Sequence, residues 1–418
     1  MALRECNNPA RGCSRRKQYC ETRNMHKKKE IIIISDYGFV NGGAARVAVD
    51  SAISIANSGK FKVTFICAKI DEKTRKYFAS NNVTLICLSV GSKWKVIRAL
   101  NYIFNFKAFV LLKQVLASYP LDSIIHIHTY VNEFTSSIFL SIPRFSDRKV
   151  FLTAHDYFTI CPNGAHYNFK IHKPCKIKGG GLQCYLTGCD KRSWLEGILR
   201  RIKFSIEKII FFFRMPKFLS ISIVSKNKLR SFGYCSRIVL NQISLPIDEK
   251  ISSFESRSGL LYIGRLDDEK GYDALIEACL RYQIPLKVVG DIRGKKLPKS
   301  EFIEFIGWCD KDTVREHIKK ARAVIMPSVW YESFGLVPLE AAAHGTPAIV
   351  SRRCGVADYF PEEYDLFIEP ETFEQLPVLV SSLDDKTFWL LCSKTSMNTL
   401  VNYKVRAEKS INEYARYI

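Results

Sequence analysis

Apolar residues near the start of the chain form short unbroken runs separated by longer stretches at helical spacing. The run EIIIIS at residues 30–35 predicts a strand, and AARVAVDSAISIANSG at 44–59 predicts a helix that ends at a glycine. Gly42 and Gly43 lie between them, and KVTFICA at 62–68 predicts the next strand. This order of strand, glycine pair, helix and strand is typical of one βαβ unit in a doubly wound sheet.

The alternation of strand and helix patterns continues through the first third of the chain and then stops. Residues 155–192 are rich in Cys, Gly, Lys and His and have no period, so they predict an inserted functional loop. Regular structure returns with a basic amphipathic helix near 193–214. The other elements predicted for this half are strands at 83–88, 124–128 and 150–153 and one long helix at 94–118.

A second series of short alternating strands and helices follows the polar stretch at 248–258. Its segments include GLLYIG, KGYDALIEACL, PLKVVG and RAVIMPS. The pattern therefore predicts two α/β domains, at 29–245 and 256–393. A polar extension at 1–28 is expected to precede them. A helix at 394–418 is expected to pack back on the first domain.

Length and charge bear on domain number and partners. The 418 residues amount to two or three ordinary domains, and 47% hydrophobic with 25% charged residues is typical of soluble proteins. The net charge of +22 is unusual. Residues 1–250 hold 41 Lys and Arg against 16 Asp and Glu, whereas residues 251–418 hold 22 against 25. A basic first half suits nucleic acid, an anionic membrane surface or a phosphorylated substrate, unless it is simply a solvated surface.

Hydropathy and cysteine usage bear on the compartment. The sequence has no apolar run near the ~18 residues that span a bilayer, and its first 28 residues lack the apolar core of a secretory signal. Cys67 and Cys87 lie in apolar runs, where a free thiol behaves as a small hydrophobic group. We expect a reduced, cytoplasmic protein. Basic amphipathic stretches near 93–117 and 193–230 predict peripheral binding to the anionic inner face of the plasma membrane.

The segment PSVWYESFGLVPLEAAAHGTPAIVS at 327–351 carries the most specific chemical pattern. Glu332 follows the end of a predicted strand, and Glu340 lies eight residues later on a predicted helix that begins near Phe334 or Gly335. The N-terminus of such a helix attracts anions. Two carboxylates beside an anion site suit a ligand with both phosphates and hydroxyls. Helix-dipole stabilisation alone would explain Glu332 but not Glu340 among apolar neighbours.

A pair of cations supports the same kind of ligand. Arg265 leaves the end of a predicted strand in YIGRLDDEKGYDALIEAC, and Lys270 follows five residues later at a helix start. A guanidinium offers paired hydrogen bonds and an ammonium a compact charge, which together suit a diphosphate.

These motifs resemble those of the retaining family-4 glycosyltransferases of the polysaccharide-biosynthesis type. The resemblance covers almost the whole chain from about Glu30. It implies the GT-B fold, in which two Rossmann-like doubly wound domains face each other across a deep cleft. It also implies that the second domain binds a nucleotide-diphosphate sugar and the first domain binds the acceptor. The expected donor is a UDP-sugar or a GDP-sugar.

The resemblance assigns roles to individual residues. Glu332 would bind hydroxyls of the donor sugar, and Glu340 those of the ribose. Arg265 and Lys270 would bind the diphosphate, and His128 would lie near the reacting sugar. The backbone groups expected at the donor are those of Gly42, Gly43, Phe334, Gly335 and Leu336.

His155 and Asp156, in LTAHDYF, follow a strand that ends at the predicted cleft, and we expect them to contact the acceptor or the cleft. The resemblance implies retention of anomeric configuration, with the donor phosphate accepting the acceptor proton. Because Arg265 and Lys270 would neutralise the leaving diphosphate, we predict that no metal or other cofactor is required.

The inserted loop offers a second kind of site. Four of its cysteines could bind a structural zinc, although their spacing matches no standard zinc pattern. The alternative is an acceptor-binding loop that carries free thiols. The cysteines are Cys161, Cys175, Cys184 and Cys189.

The expected activity is hexosyl transfer to a saccharide acceptor on polyprenyl diphosphate, in the synthesis of bacterial O-antigen, capsule or exopolysaccharide. One alternative is a nucleotide-sugar epimerase of GT-B fold, which would need no acceptor. A remote alternative is a basic nucleic-acid-binding protein. The basic segments lack the signatures of known nucleic-acid-binding motifs, so we expect no nucleic-acid partner.

Overall fold

The computed structural model describes residues 28–417, except for residues 41, 192, 293 and 295. The extension predicted at 1–28 lies outside the described residues apart from its last one. Within the described part of the chain, no helix is both long enough and apolar enough to cross a bilayer.

A seven-stranded parallel sheet forms the centre of the first half. The strands of this half are β1 (Lys29–Tyr37), β2 (Phe61–Lys69), β3 (Val83–Cys87), β4 (Ile124–Thr129), β5 (Lys149–Ala154), β6 (Tyr167–Asn168), β7 (Lys173–Pro174), β8 (Lys217–Ser220) and β9 (Ser236–Ile238). The sheet order is β3-β2-β1-β4-β5-β8-β9, while β6 and β7 form an antiparallel pair inside the predicted loop.

Eight helices accompany these strands in the described residues. They are α1 (Gly43–Asn57), α2 (Glu72–Ser80), α3 (Lys95–Ile103), α4 (Phe106–Ala117), α5 (Ser137–Ser141), α6 (Leu182–Thr187), α7 (Trp194–Phe213) and α8 (Ile223–Ser231).

Strand β1 lies in the middle of this sheet because it can be buried on both faces. Ile31 pairs with Val63 of β2 on one side and with Ile124 of β4 on the other. Ile31 to Ile34 are all fully buried. An unbroken apolar run therefore suits a central parallel strand covered by helices on both faces.

The single helix predicted at 94–118 is wrong, because Asn105 divides it into α3 and α4. The buried Asn105 side chain accepts the backbone N–H of Ala108, which caps the start of α4. It also donates to the carbonyl of Glu133, 2.7 Å away. The residue thus ends one helix and begins the next.

A six-stranded parallel sheet forms the second half, in the order β12-β11-β10-β13-β14-β15. The strands are β10 (Ser258–Ile263), β11 (Leu286–Val289), β12 (Ile303–Gly307), β13 (Ala321–Met326), β14 (Ala348–Ser351) and β15 (Phe367–Ile368). The helices are α9 (Tyr272–Arg281), α10 (Lys311–Lys320), α11 (Val337–Ala342), α12 (Leu376–Ser382) and α13 (Lys386–Tyr417).

The last helix begins eight residues before the predicted segment 394–418 and contacts the connection between the two sheets. Tyr403 donates its hydroxyl to the carbonyl of Asn241 at 3.1 Å, and Gln242 donates to the carbonyl of Ala407. Leu400 and Tyr403 are also buried in the apolar core of the second half. The helix therefore joins that core to the end of the segment predicted as the first domain.

Candidate functional site

A cavity of about 570 Å³ lies where the two halves meet, and side chains from both halves line it. The cavity gathers most of the residues that the sequence analysis predicted for the donor, the reacting sugar and the acceptor, and only His128 and Asp156 of that set do not line it. Those that line it are Gly42, Gly43, His155, Arg265, Lys270, Glu332, Phe334, Gly335, Leu336 and Glu340.

The loop after β13 places Glu332 in this cavity. Its carbonyl accepts the N–H of Gly355 at 3.0 Å, which fixes the loop against the following β-strand connection. Gly335 has φ of +94°, and a Cβ at this position would lie 2.3 Å from Cε of Met326. The chain therefore turns here only with glycine. Because of this turn α11 begins at Val337, and not near Phe334 or Gly335 as predicted.

Glu332 is buried beside Lys270. Its Oε2 accepts hydrogen bonds from the Lys270 ammonium, the indole N–H of Trp330 and the hydroxyl of Ser328. Burial alone would raise the pKa of Glu332, but the Lys270 charge and these hydrogen bonds bring the pKa below its ordinary value. Glu332 is therefore an anion held by a cation inside the cleft.

Lys270 and Arg265 come from the turn between β10 and α9. Gly271, next to Lys270, has φ of +73°, and its ideal Cβ would lie 2.1 Å from the carbonyl oxygen of Pro327. The turn thus lies directly against the end of β13, close to Glu332. The Arg265 guanidinium pairs with Asp267 at 2.7 Å and Glu269 at 3.2 Å. An anion bound here would compete with these two carboxylates for Arg265.

Glu340 meets a cation that the sequence analysis missed. Arg46, on α1 of the first half, forms an ion pair with Glu340 across the cavity. Its second nitrogen donates to the carbonyl of Ser244 at 3.1 Å. One feature of the sequence could have identified Arg46: it is a basic residue in the first turn of the helix that follows Gly42 and Gly43. Lys311 and Arg315, at the start of α10, also line the cavity and were missed.

Two histidines stack beside the cavity, and their order differs from the prediction. His155 lines the cavity, whereas His128 is buried behind it, with Nδ1 of His128 3.0 Å from Nε2 of His155. Burial lowers the pKa of His155 to about 4 and that of His128 well below its ordinary value. Both imidazoles are therefore neutral near pH 7. The histidine next to a bound ligand would be His155.

Asp156 shapes the start of the inserted loop. Its Oδ1 accepts the backbone N–H of Phe158 at 3.0 Å. Burial raises the pKa of Asp156 to about 6, and the neighbouring Asp36 contributes to the increase. The side chain of Asp156 does not line the cavity, whereas that of the preceding residue, His155, does.

The cysteines of the inserted loop were predicted either to bind a structural zinc or to remain free thiols. The described residues contain no group of three or more His, Cys, Asp or Glu side chains that could hold a metal ion. The side chain of Asn163 instead lies between two of the thiols, accepting from Cys161 at 3.1 Å and donating to Cys189 at 3.6 Å. Cys175 and Cys184 are also free thiols.

The inserted loop reaches across to the second half. Nδ1 of His172 lies 2.9 Å from Asp268, and Nζ of Lys191 lies 2.5 Å from Asp267. Asp267 is one of the two carboxylates that hold Arg265. These contacts connect the first half directly to the turn that carries Arg265 and Lys270.

Residues 246–383 match the family Glycosyl transferases group 1. An uncharacterized 41.2 kDa protein in the cps region of Klebsiella pneumoniae is 25% identical over 46% of this chain and 55% of its own length. An uncharacterized glycosyltransferase of Methanocaldococcus jannaschii is 34% identical over 29% of this chain and 35% of its own length. A lipopolysaccharide 1,2-N-acetylglucosaminetransferase of Salmonella typhimurium is 26% identical over 30% of this chain and 39% of its own length. The matched part thus spans between about a third and about half of these relatives.

Solved structures resemble nearly the whole chain. Sucrose-phosphate synthase from Thermosynechococcus elongatus superposes with a TM-score of 0.64 at 17% identity, covering 93% of this chain and 99% of the other. HepE from Anabaena, in complex with UDP-glucose, superposes with a TM-score of 0.61 at 13% identity, covering 93% and 100%. These matches confirm the predicted GT-B fold with two Rossmann-like domains.

Proposed function

Residues 246–383 match the glycosyl transferases group 1, and from that premise we propose that the chain transfers a sugar from a nucleotide-diphosphate sugar to a saccharide acceptor. The observation that carries this proposal is the cleft between the two domains, which joins Lys270, Glu332 and Arg265 with the glycine pair at the start of α1. We further propose hexosyl transfer with retention of configuration.

The second domain would bind the donor. Lys270 and Arg265 provide two cations beside the start of α9, suited to the two phosphates of UDP or GDP. The described donors to Glu332 all reach Oε2, so Oε1 would accept a hydroxyl of the donor sugar. Glu340 would accept ribose hydroxyls after it releases Arg46. HepE, which binds UDP-glucose in its crystal structure, supports a donor of this class.

The first domain would present the acceptor hydroxyl to the anomeric carbon. Negative charge develops on the leaving diphosphate, and cations fixed before the reaction stabilise it as it forms. The proton of the acceptor hydroxyl would pass to the departing donor phosphate, so no protein base is needed. Neutral His155 would accept or donate a hydrogen bond at the reacting sugar. We propose that this chemistry requires no metal, because Lys270 and Arg265 supply the positive charge.

We also propose a place for the reaction. The relatives from the Klebsiella cps region and from Salmonella lipopolysaccharide synthesis support a role in bacterial cell-surface polysaccharide assembly. The acceptor would then be a saccharide carried on polyprenyl diphosphate at the cytoplasmic face of the plasma membrane. The basic first half of the chain is consistent with an anionic acceptor of this kind.

Replacing the paired charges in the cleft tests the proposed function. We expect Lys270→Ala and Glu332→Gln each to lower sugar transfer roughly a hundredfold or more, because each removes charge stabilisation or a sugar contact at the reacting centre. The assay is release of UDP or GDP from a panel of nucleotide sugars, with and without saccharide acceptor.

Lys287→Ala is the matched control, because Lys287 forms an ion pair with Glu304 on the surface of the same domain. Its transfer rate should equal that of the wild type. Unchanged rates in the two cleft variants would contradict the proposal. Interconversion of nucleotide sugars without any acceptor would instead identify an epimerase.

A further inference from the structure

Three helices of the first domain carry large apolar side chains in contact with solvent. Six of these side chains define what we call the docking face, and each is between 61% and 82% exposed. Contiguous exposed apolar groups of this size mark an interaction surface in soluble domains. The six are Trp94 and Leu100 at α3, Leu186 on α6, and Trp194, Phe212 and Phe213 on α7.

Helix α7 has one buried and one exposed side. Lys203 and Glu207 are buried, whereas Ile202 and Ile209, seven residues apart, are exposed. Seven residues make two turns of an α-helix, so the exposed residues form a stripe along the outer side. Trp194 and Phe213 lie at the two ends of α7, which extends the stripe over its whole length.

Helices α3 and α6 lie on either side of this stripe. Nζ of Lys203 lies 4.3 Å from the centre of the Tyr102 ring on α3. The hydroxyl of Tyr185 on α6 lies 2.5 Å from that of Ser205. Residues two positions apart point about 200° apart on a helix, so Lys203 and Ser205 bring α3 and α6 to opposite flanks of α7. The exposed residues of the three helices therefore belong to one surface.

The charge around the docking face indicates what covers it. Segments 93–118 and 170–217, which contain these helices, hold 17 Lys and Arg against three Asp and Glu. A second copy of the chain would bring the same excess of positive charge against this surface, which opposes self-association. Anionic lipids attract such a surface, and tryptophan favours the boundary between lipid headgroups and acyl chains.

We propose that the docking face binds an anionic lipid bilayer, with the outer side of α7 lying in the headgroup region. This inference rests on the proposed function, because an enzyme whose acceptor is carried by a lipid must reach that acceptor at a membrane. Lys191 lies just before α7 and pairs with Asp267, which also pairs with Arg265 of the cleft. One end of the docking face is therefore next to the cleft, where the saccharide of a lipid-anchored acceptor would enter.

Vesicle binding by the full chain tests this surface. We expect co-sedimentation with vesicles of phosphatidylcholine and phosphatidylglycerol at low salt, weaker binding at high salt, and little binding to phosphatidylcholine alone. The combined variant Trp194→Ser, Phe212→Ser and Phe213→Ser should bind at least tenfold more weakly. Trp308→Ser, at an exposed tryptophan of the second domain, should bind like the wild type.

Tryptophan fluorescence gives a second readout that leaves the docking face unaltered. The chain has five tryptophans, of which Trp330 and Trp389 are buried. In the Trp308→Ser protein, quenching by brominated lipid therefore reports on Trp94 and Trp194. Quenching on addition of anionic vesicles is the expected result. Absence of both quenching and co-sedimentation at low salt would overturn the proposal.

The remaining outcomes separate this proposal from the proposed function. Concentration-dependent dimerisation that the triple substitution abolishes would assign the docking face to a second copy and overturn lipid binding. The triple variant should still transfer sugar to a water-soluble saccharide acceptor at the wild-type rate. Vesicle binding without sugar transfer from any nucleotide sugar would refute only the proposed function. Sugar transfer without vesicle binding would refute only the assignment of the docking face to a bilayer.

Discussion

Lys270 and Glu332 form a pair of opposite charges that lines the cleft. The two side chains are largely buried, and Trp330 and Ser328 also donate hydrogen bonds to the carboxylate. Removing one member leaves the other as an uncompensated buried charge, which is costly. The folded protein therefore needs both charges of the pair. A ligand that separates them must offer an anion to Lys270 and a hydroxyl to Glu332.

Asp156 supports a prediction about stability and pH. The pKa of its carboxyl is about 6 in the folded protein, above the value near 4 of an unfolded chain. The folded state therefore holds the proton more tightly, and stability is lost as the pH rises from about 4 to about 6. Asp156→Asn avoids this loss and can still accept the N–H of Phe158.

We expect Asp156→Asn to gain about 1–3 kcal/mol in unfolding free energy at pH 8 and little at pH 4. Thermal unfolding at the two pH values measures the difference. Asp147→Asn, at an exposed aspartate of the same domain, should change neither. An equal gain for Asp156→Asn at both pH values would show that its carboxyl does not titrate in this range.

The sequence predicted these cleft residues better than it predicted their neighbours. Glu332 and Lys270 belong to short sequence motifs, so they can be identified without knowing which residues they contact in the fold. The positions of His128 and His155 depend instead on how β4 and β5 pack, and one chain does not reveal which imidazole faces the cavity. Arg46 was missed for a related reason, because its partner Glu340 is 294 positions away in the chain.

At the scale of elements, the inserted loop is joined through Lys191 to the turn that carries Arg265 and Lys270. The carboxylate of Asp267 is shared between Lys191 and Arg265. Without Lys191, the two carboxylates around Arg265 would hold its guanidinium more strongly and would add negative charge beside a bound diphosphate.

We expect Lys191→Ala to weaken the binding of UDP or GDP by roughly threefold to tenfold, which corresponds to about one ion pair. Isothermal titration calorimetry measures the change. Lys176→Ala removes an exposed lysine from the same loop and should leave the affinity unchanged. Equal affinities for all three proteins would show that the loop does not influence the turn that carries Arg265 and Lys270.

The boundaries of helices and strands were predicted correctly where neighbouring residues in the sequence determine them. They were predicted wrongly where contacts with distant residues determine them. The strand β1 follows from its apolar run alone. The break between α3 and α4 depends on the contact of Asn105 with Glu133, which is distant in the sequence. The late start of α11 depends on the positive φ of Gly335, where a Cβ would also lie 2.3 Å from Cε of Met326.

At the scale of the whole molecule, the ion pair between Arg46 and Glu340 holds the two domains together across the cleft. Since each domain contributes one partner, breaking the pair should favour a more open arrangement. Ser333 adds a second link, because its hydroxyl donates to the carbonyl of His155 at 2.6 Å.

We expect Arg46→Met to increase the radius of gyration by about 1 Å, on a value of about 22 Å for a compact chain of 418 residues. Small-angle X-ray scattering without nucleotide measures this change. Arg75→Met is the control, because Arg75 pairs with Glu72 within α2 and not between domains. Identical scattering from all three proteins would show that the pair does not restrain the domains.

Helix α13 has a mechanical consequence for any such motion. A helix of 32 residues is about 48 Å long and resists bending, and this one is fastened at Tyr403 and Ala407 to the connection between the domains. The domains cannot slide apart along that side without breaking these contacts. Opening therefore has to be a rotation about the fastened side, so that the far rim of the cleft travels farthest and the pair formed by Arg46 and Glu340 separates while the connection stays almost still.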